Sequence, residues 1–184
     1  SLSVCSIDYD PNNTSTMYVG TGERMGNHNG SLYPGDSKGL GMWKSTDSGA
    51  SWTHLPSTTD FNYVNDIIVR NENGSSVIYI AVGGQYYEGQ WIGYDQAGIW
   101  KSTDGGTSWS RAIDRETSSG YEEFMDLDLG SDNRIWAGTR FNVYNEGGGT
   151  IFYSDDGTTW TSANWKGEIV TTSANRVLLS VAPS

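Results

Sequence analysis

Three copies of one short pattern constrain this chain more than any other feature. They are Gly41-Met42-Trp43-Lys44-Ser45-Thr46-Asp47-Ser48-Gly49-Ala50-Ser51-Trp52, Gly98-Ile99-Trp100-Lys101-Ser102-Thr103-Asp104-Gly105-Gly106-Thr107-Ser108-Trp109, and Thr150-Ile151-Phe152-Tyr153-Ser154-Asp155-Asp156-Gly157-Thr158-Thr159-Trp160. Counted back from the last Trp, each has Asp at minus five (Asp47, Asp104, Asp155), Gly at minus three (Gly49, Gly106, Gly157) and Ser or Thr at minus one. The periods are 57 and 51 residues, and self-similarity on that scale marks a repeat architecture. In each copy an apolar, aromatic run reads as a strand, the Ser-Thr-Asp-Gly cluster as a turn, and the closing Trp as the start of a second strand. Each copy is therefore a hairpin. Its Asp accepts hydrogen bonds from turn N–H groups, its Gly supplies positive φ, and Trp52, Trp109 or Trp160 packs beside the turn.

These segments resemble the Asp-box (BNR) repeat, Ser/Thr-x-Asp-x-Gly-x-Thr/Ser-Trp, of sialidase-, sortilin- and xyloglucanase-like β-propellers, with Tyr153 standing where the third copy should carry Ser or Thr. A weaker repeat precedes each one. Residues 3–10, 63–70 and 124–129 alternate, break at Pro11-Asn12-Asn13, Asn71-Glu72-Asn73-Gly74 and Gly130-Ser131-Asp132-Asn133, and resume as short apolar strands. Every repeat then has four strands, a to d, with the Asp box joining c to d. An antiparallel unit of this kind is one propeller blade. The expected fold is an all-β, incomplete β-propeller with blades at about 3–55, 63–112 and 123–162 and the first half of a fourth at about 168–184. In that last part residues 168–172 stand for strand a, and 173–179 parallel 131–137 as the approach to strand b. Three and a half blades do not close a ring of roughly four to eight. The chain thus reads as a piece of a longer protein whose remaining blades are its first partners.

Composition narrows the partners further. The formal charge of −11 excludes a polyanionic ligand such as nucleic acid, and no apolar run is long enough for a membrane-spanning helix. Cys5 is single, so no intrachain disulfide can form, and its place in an alternating run predicts a buried thiol. Sequons at Asn12, Asn13, Asn29 and Asn73 are what a chain rich in Asn, Ser and Thr contains by chance. His28 and His54 are isolated, so no metal and no cofactor is implied.

Antiparallel strands place the a–b and c–d turns on one face and the b–c loops on the other. The Asp-box residues are accordingly read as scaffold. The b–c loops, residues 23–40, 83–97 and 140–149, are long and unlike one another. They carry Tyr33, Tyr86, Tyr87, Trp91, Tyr94 and Tyr144, with Arg24 and Arg140 following strand b, among amides and carboxylates such as Gln85 and Asn142. Flat aromatic faces beside polar groups suit a sugar or a peptide. Strand a, innermost in a propeller, carries Asp8, Asp10, Asn65, Asp66, Asp126 and Asp128, either lining a channel, holding a cation or bonding between blades.

The first functional reading is an extracellular recognition or scaffold module, as in the large secreted bacterial surface proteins that this repeat wording resembles. It binds glycan or protein through the b–c face and leans away from catalysis. The second is part of a glycoside hydrolase. The resemblance to sialidases implies an arginine cluster, yet the Arg-Ile-Pro signature and a third matching arginine are missing. The resemblance to xyloglucanases implies an Asp-x-Gly-Gly segment after a strand a, and none occurs. The third, a sorting or assembly factor for polypeptides, rests on the sortilin-like resemblance.

Overall fold

β-Structure begins almost at the amino terminus, in a computed structural model that describes residues 3–22, 37–88, 90–117, 120–142, 147–163 and 176–181, with Tyr86, Thr117, Gly120 and Tyr121 described for their backbones alone. The first sheet joins β1 (Val4–Asp10), β2 (Asn13–Thr21), β3 (Met42–Ser45) and β4 (Thr53–His54) in that order, all antiparallel. The second joins β5 (Tyr63–Glu72) and β6 (Ser75–Gly83), skips a small hairpin of β7 (Gln85–Tyr87) and β8 (Gln90–Ile92), and continues with β9 (Gly98–Ser102) and β10 (Ser110–Asp114). The third begins with a short β11 (Glu116–Thr117) and runs through β12 (Gly120–Leu129), β13 (Ile135–Phe141), β14 (Ile151–Ser154) and β15 (Thr161–Ser162). These are propeller blades packed face to face, and β1, β5 and β12 are their inner strands.

The middle sheet explains its own sequence. In β6 the residues Ile78, Ile80 and Val82 pack toward the first sheet with Tyr18 and Met42, whereas Val77, Tyr79 and Ala81 pack toward the third with Phe124, Leu127 and Phe152. A strand covered on both faces needs an unbroken apolar run rather than alternation. That is why Val77-Ile78-Tyr79-Ile80-Ala81-Val82 has no polar residue.

The inner strands are stitched by side chains. Ser6 Oγ accepts from the Ile67 N–H (3.1 Å), and Asp8 from the Val69 N–H (2.6 Å). One blade on, Asp66 accepts from the Leu127 N–H (2.7 Å); beyond that, Asp126 and Asp128 accept from the Leu179 and Val181 N–H groups at 2.5 and 2.6 Å. Of the three roles open to the strand-a carboxylates, bonding between blades is the one these groups perform. Residues 176–181 therefore lie where the inner strand of a following blade belongs, and not at the approach to a strand b; residues 173–175 lie outside the described residues.

The Trp-ended turns have a common geometry. Asp47 accepts from Ser45 Oγ (2.7 Å), Ser51 N (2.8 Å) and Ser51 Oγ (2.6 Å), and Asp104 holds Ser102 and Ser108 in the same way. Those bonds, the hydroxyl of the closing Ser foremost, lower both carboxyls to about 2. In the third hairpin the carboxylate in this role is Asp156, which accepts from Thr159 N (2.6 Å), Thr159 Oγ1 (2.9 Å) and Ser154 Oγ (3.1 Å). Asp155 instead forms a surface pair with Arg134. The correction has a simple cause: this turn is one residue shorter between Asp and Gly, so counting back from Trp160 lands one place early. Asp156→Ala is expected to lower the melting temperature and Asp155→Ala to leave it nearly unchanged, an exposed ion pair contributing little. Equal losses in thermal denaturation would refute the reassignment.

The turns also reach the preceding blade. Ser57 Oγ donates to Gly106 O (2.5 Å) and Trp109 Nε1 to Ser57 Oγ (3.2 Å), while Phe61 lies 5.0 Å from the Trp100 ring and 6.0 Å from Trp109. Cys5, expected inside, is exposed. It sits at the irregularity between Val4 and Ser6 on an inner edge strand, with its thiol donating to Gly22 O at 3.1 Å.

Candidate functional site

On the face opposite the Trp-ended turns, β6 runs straight into the β7–β8 hairpin. Tyr86 pairs in register with Trp91, and Tyr87 with Gln90, around a turn whose Glu88 has φ 47°. Trp91 is 42% exposed and Tyr87 half-buried, whereas Gln85 is sealed beneath the hairpin. Gly93, at φ 72°, then turns the chain into a single 3₁₀ turn, Tyr94–Gln96. Tyr94 is pressed against Gly84 so closely that a Cβ there would come within 2.6 Å of its Cα.

Cations brace this loop. The Arg115 guanidinium lies 3.8 Å from the Tyr94 ring centroid and 4.0 Å from Asp95, and Arg111 stacks at 4.7 Å over Trp100 while donating to the Asp95 carbonyl. A guanidinium over a ring is worth about 0.5–2 kcal/mol and fixes its plane. Asn142 from the third blade approaches the Tyr94 hydroxyl at 3.4 Å. The Tyr94 ring is thus covered by Arg115 and reached from the third blade by Asn142.

Beside the inner strands, on the same face, a cleft of about 380 Å³ is lined by Ser3, Val4, Cys5, Gly22, Asn65, Met125 and Arg176. The Asn65 amide donates to Phe124 O (2.9 Å), leaving its oxygen as an acceptor. Among the described residues no group of three His, Cys, Asp or Glu side chains is placed to hold a metal ion.

Of the residues singled out from sequence, Tyr86, Tyr87 and Trp91 fall on the β7–β8 hairpin and Tyr94 opens the 3₁₀ turn that follows it. Arg140 does not present itself: it is 8% exposed and stands opposite the equally buried Glu123 in the β12–β13 register. Tyr33, Arg24 and Tyr144, with residues 168–172, lie outside the described residues. Arg115, Arg176 and Glu122 were not anticipated. Glu122, 1% exposed, accepts from Gly148 N (2.8 Å) and Thr150 Oγ1 (2.9 Å) and so ties down the third loop. Its signal was a pair of adjacent glutamates at the head of an apolar strand.

Known structures agree with this architecture. The GH74 enzyme of Niastella koreensis superposes with a TM-score of 0.53 at 24% identity, over 85% of this chain and 20% of that one. The GH74 xyloglucanase of Xanthomonas campestris gives 0.54 at 15% identity (86% and 22%), and YCF48 of Cyanidioschyzon merolae gives 0.50 at 16% (88% and 37%). The chain is a β-propeller in fold. At these identities the likeness carries the fold alone, and the chain spans about a fifth of the GH74 enzymes' length. No family model and no curated protein matches it.

Proposed function

We propose that this chain is part of an extracellular Asp-box propeller whose loop face recognises an extended glycan. The observation that carries the reading is a loop with two aromatics: an exposed Trp91 on a short hairpin and, just past Gly93, a Tyr94 ring under the Arg115 guanidinium. Such aromatics stack on the C–H faces of sugar rings, and the cleft beside the inner strands offers the Asn65 amide oxygen and the Arg176 guanidinium to hydroxyls. The Ser-x-Asp turn geometry supports the Asp-box reading. Xyloglucan is the first ligand to try, because one structural neighbour is a xyloglucanase.

Trp91→Ala is expected to weaken polysaccharide binding at least about tenfold, about 1.4 kcal/mol. Thermal denaturation of the variant is read alongside, because the side chain is 42% exposed and the rest of it packs on the fold. Affinity electrophoresis on soluble polysaccharides, paired with a reducing-sugar assay, checks this. Turnover abolished by changing one carboxylate would replace the recognition reading with a hydrolase. Binding of unfolded polypeptide in place of polysaccharide would favour a sorting or assembly role.

A further inference from the structure

We infer that one position of the repeat, the bulge residue of each inner strand, selects the sugar taken by the cleft on the loop face. Cys5, Asn65 and Met125 occupy that position, and the ligand is a single neutral sugar residue held through two adjacent hydroxyls. The inference rests on the proposed recognition of glycan and adds to it the place where one sugar is told from another.

The three inner strands share an irregularity at the same step of their registers. It falls between Val4 and Ser6 in β1, between Val64 and Asp66 in β5, and between Phe124 and Asp126 in β12. The extra residues are Cys5, Asn65 and Met125, each 60 residues after the last. A bulge sets its extra residue outside the ladder and re-aims the side chain. Here all three line one cleft of about 380 Å³.

The residues on either side of the bulge answer to the fold. Before it, Val64 and Phe124 are fully buried in the two cores. After it, Ser6, Asp66 and Asp126 accept from the Ile67, Leu127 and Leu179 N–H groups of the next inner strand. Packing restricts the first class and hydrogen bonding the second. Between them the chain carries a thiol, an amide and a thioether in turn. A position repeated in three blades, aimed at one cavity and different in each is where ligand chemistry is set.

The lining fits a sugar. Asn65 Nδ2 donates to the Phe124 carbonyl of the following blade at 2.9 Å, which fixes the amide plane and leaves Oδ1 to accept. Gly83 makes room for that amide, since a Cβ there would stand 2.8 Å from Asn65 Nδ2 and 2.5 Å from Glu123 Oε1. The Arg176 guanidinium, on the same wall, can only donate. One acceptor and one donor suit neighbouring hydroxyls, one giving its proton and the other receiving one. The sulfur atoms of Cys5 and Met125 offer polarisable contact to C–H groups. The formal charge of −11 opposes an acidic sugar. At about 380 Å³ the cleft is near the small end of ligand pockets, about 300–1,000 Å³, so it admits an end or a branch of a glycan and not its run.

Cys5 makes the test specific, because it is the one cysteine of the chain, exposed and on the cleft wall. Iodoacetamide adds a carboxamidomethyl group there and leaves the Trp91 hairpin unmodified. Affinity electrophoresis on xyloglucan, galactomannan, mixed-linkage β-glucan and polygalacturonate compares the untreated chain, the alkylated chain and Cys5→Ser given the same reagent. Alkylation should weaken binding to the preferred neutral polysaccharide at least about tenfold. Treated Cys5→Ser should bind as the untreated chain does. In Asn65→Ala, with its melting temperature checked, the ratio between the best and the worst neutral polysaccharide should fall toward one. Unchanged binding after alkylation confirmed by mass spectrometry overturns the proposal and leaves the glycan reading standing. An equal loss in treated Cys5→Ser, an unchanged ratio in Asn65→Ala, or a preference for polygalacturonate overturns it as well. Failure of the untreated chain to bind any of the four removes both.

Discussion

Gly157→Ala is expected to destabilise the protein by about 2–5 kcal/mol, and the two equivalent glycines by less, in the order Gly157, Gly106, Gly49. All three have positive φ, 67°, 90° and 85°, so each alanine carries the left-handed penalty of about 1–2 kcal/mol. What separates them is the neighbour. A Cβ at Gly157 would stand 1.7 Å from the Tyr79 hydroxyl, and Tyr79 is fully buried and donates to Glu72 at 2.5 Å. It has nowhere to move. A Cβ at Gly106 would meet the end of the flexible Leu55 side chain at 2.6 Å, and one at Gly49 only ordinary contacts. For a chain of this size each kcal/mol shifts the melting temperature by about 2–4 °C, so thermal scans resolve the series. Equal shifts at the three sites would contradict the account of how the turns dock.

The second large effect is expected at Asp66, which joins three inner strands through Ser6, Ile67 and Leu127. Burial is the main cause that raises its carboxyl to about 6, opposed by the hydrogen bonds it accepts. Because the folded state holds this proton more tightly than the unfolded one, its contribution is complete below about 3.8 and is lost as pH rises through about 6. A rise of two pH units corresponds to about 2–3 kcal/mol. Asp8, raised by burial too, acts in the same direction. Asp47 and Asp104, held near 2, act oppositely, with stability present above about 3.8 and lost as pH falls toward 2. Urea denaturation from pH 4 to 7 should therefore show declining stability, and Asp66→Asn should flatten that decline. Asp66→Ala should cost about 2–4 kcal/mol at pH 5 by leaving buried N–H groups unmatched. An unchanged pH slope in Asp66→Asn would show that the carboxyl does not titrate in this range.

Much of the fold was legible because the repeats carry local chemistry. A Ser-x-Asp turn closed by Trp reads the same wherever it occurs, and alternation in β1 and β12 separates their faces. The misreadings came where the information is not local. The missing residue in the third turn moves the working carboxylate from Asp155 to Asp156, and only hydrogen-bond geometry shows it. Residues 176–181 take their place from acceptors on β12, more than 40 residues upstream, which no windowed pattern contains. The candidate site was legible in its aromatics but not in its supports. Arg115 reaches Tyr94 from beyond β10, and Glu122 fixes a loop belonging to the far end of its own hairpin.

The stitching of the inner strands has a direction. Where a backbone N–H of an inner strand is met by a side chain of a neighbouring blade, that side chain comes from the earlier blade. Such a head-to-tail joint is the heterologous kind, which by itself sets no limit on the number of units. Ring size must come from the angle between blades, so a lineage can gain or lose a whole blade while every joint keeps the same chemistry.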